Sequence, residues 1–139
     1  MESTEFTPIF EEITRAQKIM RQFLDDHTQE IPHDQDRIRL ELPLLNNTAD
    51  IVAKKWALQI LWVLEIKKDM IFNEISRFLE GISTRSLSDT LKTLEDHKMV
   101  TRTIEETHPP KVHYALSENG KGFVELALFL LFYVNKDEL

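Results

Sequence analysis

From Phe123 to Val134 the chain is apolar at every position except Glu125. A helix that is apolar nearly all the way round cannot lie on the surface of a monomer, because two of its faces must be covered. A chain of 139 residues has room for one core, or one core with appendages. The run is also well short of the ~20 residues needed to span a bilayer, so its cover is expected to be protein. With one face on the chain's own core, the other is expected to meet a second subunit. Ser117 reads as the N-cap of this helix, and Gly120 and Gly122 fall in its first turns.

The other end of the chain has a similar surplus. Thr7 followed by Pro8 reads as an N-cap and first helical position, with Glu11 and Glu12 in the positive first turn. A helix of about residues 8–26 is expected, with Ile9, Ile13, Ala16, Met20 and Phe23 at coiled-coil spacing and Phe10, Ile19 and Leu24 widening the stripe. Packing on its own domain and packing on a partner helix both fit. On the second reading Ile9, Ile13, Met20, Phe23, Phe129 and Phe132 form a homodimer interface. Residues 27–36 read as a polar loop, and Arg37 to Leu42 alternate strictly, which predicts a half-buried strand ended by Pro43.

A heavily buried helix is expected from Thr48 or Asp50 to about Lys67. A small strand at Met70–Phe72 follows, then a helix capped by Asn73 with Ile75, Phe78, Leu79 and Ile82 on one face. Gly81 supplies the turn. Ser83 and Thr84 cap the next helix, which places Leu87, Leu91 and Leu94 together. Two short amphipathic helices joined by a glycine turn form a helix-turn-helix unit. Residues 100–105 and 112–116 have strand composition, and His108, Pro109 and Pro110 stiffen the loop between them. The fold class is therefore mainly α with a small β-hairpin wing: a winged helix-turn-helix over residues 48–116, an N-terminal helix, loop and strand over 1–47, and a C-terminal dimerisation helix over 117–139.

In this order and spacing, Lys55-Trp56, Phe72-Asn73-Glu74-Ile75, Gly81-Ile82-Ser83, Leu87-Ser88, Leu91-Lys92, Leu94-Glu95, Pro109-Pro110-Lys111-Val112 and Tyr114-Ala115-Leu116-Ser117 resemble the HxlR family of winged helix-turn-helix regulators. The likeness covers about residues 42–134. It implies a dimeric transcription factor whose terminal helices form the interface and whose recognition helices enter DNA major grooves. The sequence departs from the family in places. Leu42-Pro43-Leu44 stands where the family carries a Cys-Pro pair, which removes thiol sensing. Ala53 and Lys54 replace paired glycines, so a continuous helix is expected there. Asp89 and Thr90 occupy positions often filled by Gln and Arg. The N-terminal helix and the alternating strand have no counterpart in it.

A net charge of −7 opposes nucleic-acid binding, which depends on phosphates neutralised by Lys and Arg. The acidity sits in the flanks, however: residues 51–116 hold ten basic and nine acidic side chains. The candidate contacts to double-stranded DNA are Ser83, Thr84, Arg85, Ser88, Asp89 and Lys92 on a recognition helix of about 83–97, Lys111 on the wing, and Lys54 and Lys55. Arg102, His108 and His113 add to the wing's basic character. An alternative reads Arg85, Asp89, Lys92 and Asp96 as a ladder of ion pairs on a solvated face, and the protein as an interaction module that does not bind DNA.

With no cysteine, disulfides, Cys-ligated zinc and thiol catalysis are excluded. His27, His33, His97, His108 and His113 include no metal-ligand pair at i,i+4 spacing. Three glycines make no phosphate-cradling loop, and no nucleophile elbow is present. Neither an enzyme nor a cofactor is implied. The polar, acidic residues 1–7 are unlike a signal peptide. The closing Lys136-Asp137-Glu138-Leu139 spells a retention signal read only in the secretory lumen and is taken as coincidence. A soluble, cytoplasmic protein is expected.

Overall fold

In the computed structural model, which describes residues 4–30 and 35–139, the elements run α1 (Thr7–Glu30), α2 (Gln35–Val52), α3 (Ala57–Lys67), β1 (Asp69–Ile71), α4 (Phe72–Phe78), α5 (Thr84–Asp96), β2 (Val100–Glu105), β3 (Lys111–Leu116) and α6 (Glu118–Val134). The chain divides into two units, residues 44–125 and residues 1–43 with 126–139. His33, and Met1 to Ser3 of the polar N-terminal stretch, lie outside the described residues.

In the unit of residues 44–125, leucine spacing organises the core. Leu87, Leu91 and Leu94 of α5 fall on one face, and all three are buried with Ile60, Leu61 and Leu64 of α3, Met70 of β1 and Ile75 of α4. Each such side chain contributes about 1.5 to 3 kcal/mol when fully removed from water. The three strands form an antiparallel sheet in the order β1-β3-β2, with Tyr114 paired to Met70 on one side and Arg102 on the other. Gly81, at φ +85°, turns the chain between α4 and α5, and Ile82 N–H donates to the Leu79 carbonyl. This is a winged helix-turn-helix, with β2 and β3 as the wing.

Several expectations change. The helix expected to run unbroken through Ala53 and Lys54 is interrupted between Val52 and Ala57. Ile51 and Ala57 are both buried, yet on a continuous helix of 3.6 residues per turn they would lie about 120° apart. The break brings both into the core, so burial outweighs local propensity. Along α3 the core takes Ala57, Ile60, Leu61 and Leu64, while Leu58, Trp62 and Ile66 form an exposed stripe. Helix α4 begins at Phe72, capped by Ile71 in place of Asn73; the Glu74 carboxylate accepts from Ile71 N–H. Phe78, expected on the apolar face, is exposed under the Lys67 ammonium.

In the other unit, α1 continues through His27 to Glu30 and α2 begins at Gln35, so residues 27–30 and 35–36, expected in a loop, are helical. The strand expected at residues 37–42 is part of α2. Arg37 and Glu41 pair one turn apart, and Glu41 also meets His27 at 3.0 Å; that hydrogen bond, followed by the neighbouring positive charges, holds the Glu41 carboxyl below its ordinary value. The described strands all lie in the unit of residues 44–125. On a helix Ile38 and Leu42, at i and i+4, share a face while Leu40 lies on the opposite side, and all three are exposed. Phe6 and Ile13 are buried, and the Phe6 and Phe132 rings lie 5.1 Å apart. Among the described residues, no helix is long and apolar enough to cross a membrane.

The start of α6 is seated tightly. Ser117 Oγ accepts from Gly120 N–H at 3.0 Å and donates to the Lys98 carbonyl at 2.5 Å, while Ser117 N–H donates to the Met99 carbonyl. A Cβ on Gly120 would fall 2.0 Å from the Met99 carbonyl oxygen, whereas one on Gly122 would meet nothing within 4 Å. Gly120→Ala should therefore destabilise the protein by about 3 kcal/mol, the upper range for overpacking. Gly122→Ala should be neutral or stabilise by up to about 1 kcal/mol, the helical preference of Ala over Gly. Urea unfolding midpoints distinguish the two, and equal losses would contradict the seating of α6 on Met99.

Candidate nucleic-acid interface

Burial of the leucine face determines which side chains α5 turns outward. Ser83 caps the helix, its Oγ accepting from Ser86 N–H at 3.0 Å. Ser83, Thr84, Arg85, Ser88, Asp89 and Lys92 are all exposed. Thr90 is instead buried, with its hydroxyl donating to the Ser86 carbonyl. Two of the three pairs in the expected ladder form: Arg85 Nε to Asp89 Oδ2 at 3.8 Å and Lys92 Nζ to Asp96 Oδ1 at 2.8 Å. Among the described residues, Asp89 and Lys92 do not pair. The Arg85 contact is long and its side chain 93% exposed, so water screens most of the attraction. For Lys92, the hydrogen bond to Asp96 and then that carboxylate's charge raise the ammonium above its ordinary value.

Lys111 opens β3 opposite Glu105, at the wing's outer end. It is exposed and, among the described residues, joins no ion pair. Lys54 lies in the α2–α3 break and donates to Thr93 Oγ1 of α5 at 2.8 Å, while Lys55 lies 4.7 Å from the centre of the Trp56 ring. Arg102, which the sequence credits only to the wing's general basicity, shares a groove of about 260 Å³ with Ser88, Leu91, Lys92, Glu95 and Tyr114. Its strand position could have pointed there. Val100, Arg102 and Ile104 alternate onto the face that packs on α5.

On the opposite face of the sheet, His113 of the central strand meets a carboxylate from each neighbouring strand. Nδ1 is 2.7 Å from Asp69 Oδ1 of β1, and Nε2 is 2.6 Å from Glu105 Oε2 of β2. The hydrogen bond to Asp69 and then that to Glu105 raise the ring's pKa above its ordinary 6.5.

The profile of the HxlR-like helix-turn-helix family matches residues 51–136, which takes in the recognition helix, the wing and all of α6. The chain belongs to the HxlR-like family. Among HxlR-like relatives, it is 34% identical over 79 residues to the regulatory protein MalR of Fusobacterium mortiferum, an alignment covering 57% of this chain and 74% of that protein. The structure of the HTH-type transcriptional regulator YtcD superposes with a TM-score of 0.61 at 28% identity, covering 68% of this chain and 95% of that one. The reduced form of the transcriptional regulator YodB from Bacillus subtilis gives 0.60 at 26% identity, covering 68% and 91%.

The HxlR-like wing should have a pH-dependent contribution to stability. Because the folded-state pKa of His113 is raised, its contribution is fully present below the unfolded value near 6.5 and is lost as pH rises through the folded value. The melting temperature of the parent should fall toward that of His113→Gln as pH increases across this window. A gap between the two proteins that stays constant with pH would contradict the assignment.

Proposed function

We propose that this HxlR-like protein is a homodimeric transcriptional regulator rather than an enzyme, with α5 entering the major groove of duplex DNA and the β2–β3 wing gripping the backbone. The exposed polar face of α5 carries this reading. Arg85, near the helix N-terminus, reads guanine or holds a phosphate. Ser83, Thr84 and Ser88 bond phosphates, Asp89 accepts from a cytosine amino group, and Lys92, Lys111, Lys54 and Lys55 supply positive charge. With no cysteine in the sequence, any signal the protein receives is independent of thiol chemistry.

The Lys92–Asp96 and Arg85–Asp89 pairs favour a second reading, in which the face is solvated and the protein is an interaction module. Electrophoretic mobility shift at low salt, against genomic fragments, separates the two. Asp89→Asn should strengthen non-specific binding and relax preference at one base pair, a discrimination of about 1 to 3 kcal/mol for a good direct contact. Arg85→Ala should weaken binding. Lys111→Ala should weaken all sequences alike and lower the salt slope by about one phosphate contact. Three variants that bind as the parent does, or a parent that does not bind at low salt, would favour the interaction module.

The homodimer is supported by apolar residues that one chain leaves uncovered. Met20, Phe23 and Phe129 are exposed, Ile9 and Phe132 are half-buried, and Ile13 is already buried within its own chain. Obligate interfaces of this apolar kind resemble a divided core. Phe129→Glu is the cleaner probe, since Phe132 also packs on Phe6. Light scattering should show a dimer for the parent and dissociation for Phe129→Glu. A monomeric parent at micromolar concentration would remove this part of the reading.

A further inference from the structure

A neutral imidazole has one N–H and donates to one partner, whereas an imidazolium donates from both nitrogens. His113 has a carboxylate within 2.7 Å of each nitrogen. With every group in its ordinary neutral-pH form, one of these contacts would set a ring lone pair against a carboxylate oxygen. The arrangement therefore requires a bound proton. That proton joins all three strands, since Asp69 belongs to β1, His113 to β3 and Glu105 to β2.

The side chains on this face make the proton matter to the wing. Asp69 of β1 and Glu105 of β2 face the ring, Ile71 and Thr103 lie directly opposite it, and Lys111 stands two residues along the same strand, opposite Glu105. With His113 charged, the charges of Asp69, Glu105, Lys111 and His113 cancel. Without the proton the group carries a net negative charge, and Glu105 is free to neutralise Lys111, the cation the wing would otherwise offer to a phosphate.

We propose that His113 is a proton-operated lock on the wing, and that duplex DNA is held less tightly once the ring loses its proton. This rests on the DNA-binding reading above. The raised pKa of the ring places the change above pH 6.5, within the range where histidine switches operate.

Binding of a labelled random-sequence duplex, followed by fluorescence anisotropy at constant ionic strength from about pH 6 to 9, tests the lock. The dissociation constant of the parent should rise on the order of threefold to tenfold, as for losing one phosphate contact. His113→Gln and Glu105→Gln should each flatten the rise, and His108→Gln should keep it. The C2-proton resonance of His113 should titrate above the ordinary histidine value in the parent and lower in Asp69→Asn. Binding that is tight but independent of pH overturns the lock, as does a rise that persists in both His113→Gln and Glu105→Gln. A parent that binds no duplex at any pH is a different result and overturns the DNA-binding reading itself.

Discussion

Burial of three leucines on α5 is the constraint on which the candidate interface depends. Leu87, Leu91 and Leu94 are essentially removed from solvent, and rotating the helix to expose even one would cost several times the energy of a surface ion pair. Arg85, Ser88, Asp89 and Lys92 therefore face outward as a consequence of the core. Ser83 sets where that face begins, because its hydroxyl accepts the Ser86 amide that the first turn would otherwise leave unpaired. The wing is held to the same core through Val100 and Tyr114, both buried.

Electrostatics then decides what the outward face can do. A net charge of −7 is an average over a chain whose middle is balanced, so the question falls to individual pairs. Lys92 is held by Asp96 and Lys54 by Thr93, whereas Arg85 is only loosely attached to Asp89. A cation in a long, solvated pair loses little when a phosphate or base edge takes over. Arg102 differs from these, since its groove also contains Glu95, a carboxylate that competes with any incoming anion.

The winged unit was largely legible in the sequence because its signals are local. The leucine spacing of α5, the caps at Ser83 and Ser117, the turn at Gly81 and the limits of the wing can each be read within a dozen residues. Three features depended on distant partners and could not be read in this way. The alternation at residues 37–42 is a strand signal only where a neighbouring strand exists to pair with. The break before Ala57 reflects the need to bury Ile51 and Ala57 together. The clamp on His113 joins Asp69, Glu105 and His113 through sheet register, to which sequence spacing offers no guide.

The placement of the aromatic residues has a spectroscopic consequence. Both tryptophans of the sequence, Trp56 and Trp62, lie in the winged unit, one half-buried and one exposed, and the other unit contains none. Intrinsic tryptophan emission is thus a reporter of the winged unit alone. The 24-residue helix α1 makes no tryptophan signal, but it contributes strongly to far-ultraviolet circular dichroism. Coincident unfolding curves by the two probes would mean that the units melt as one cooperative block, and separated curves that each has its own stability.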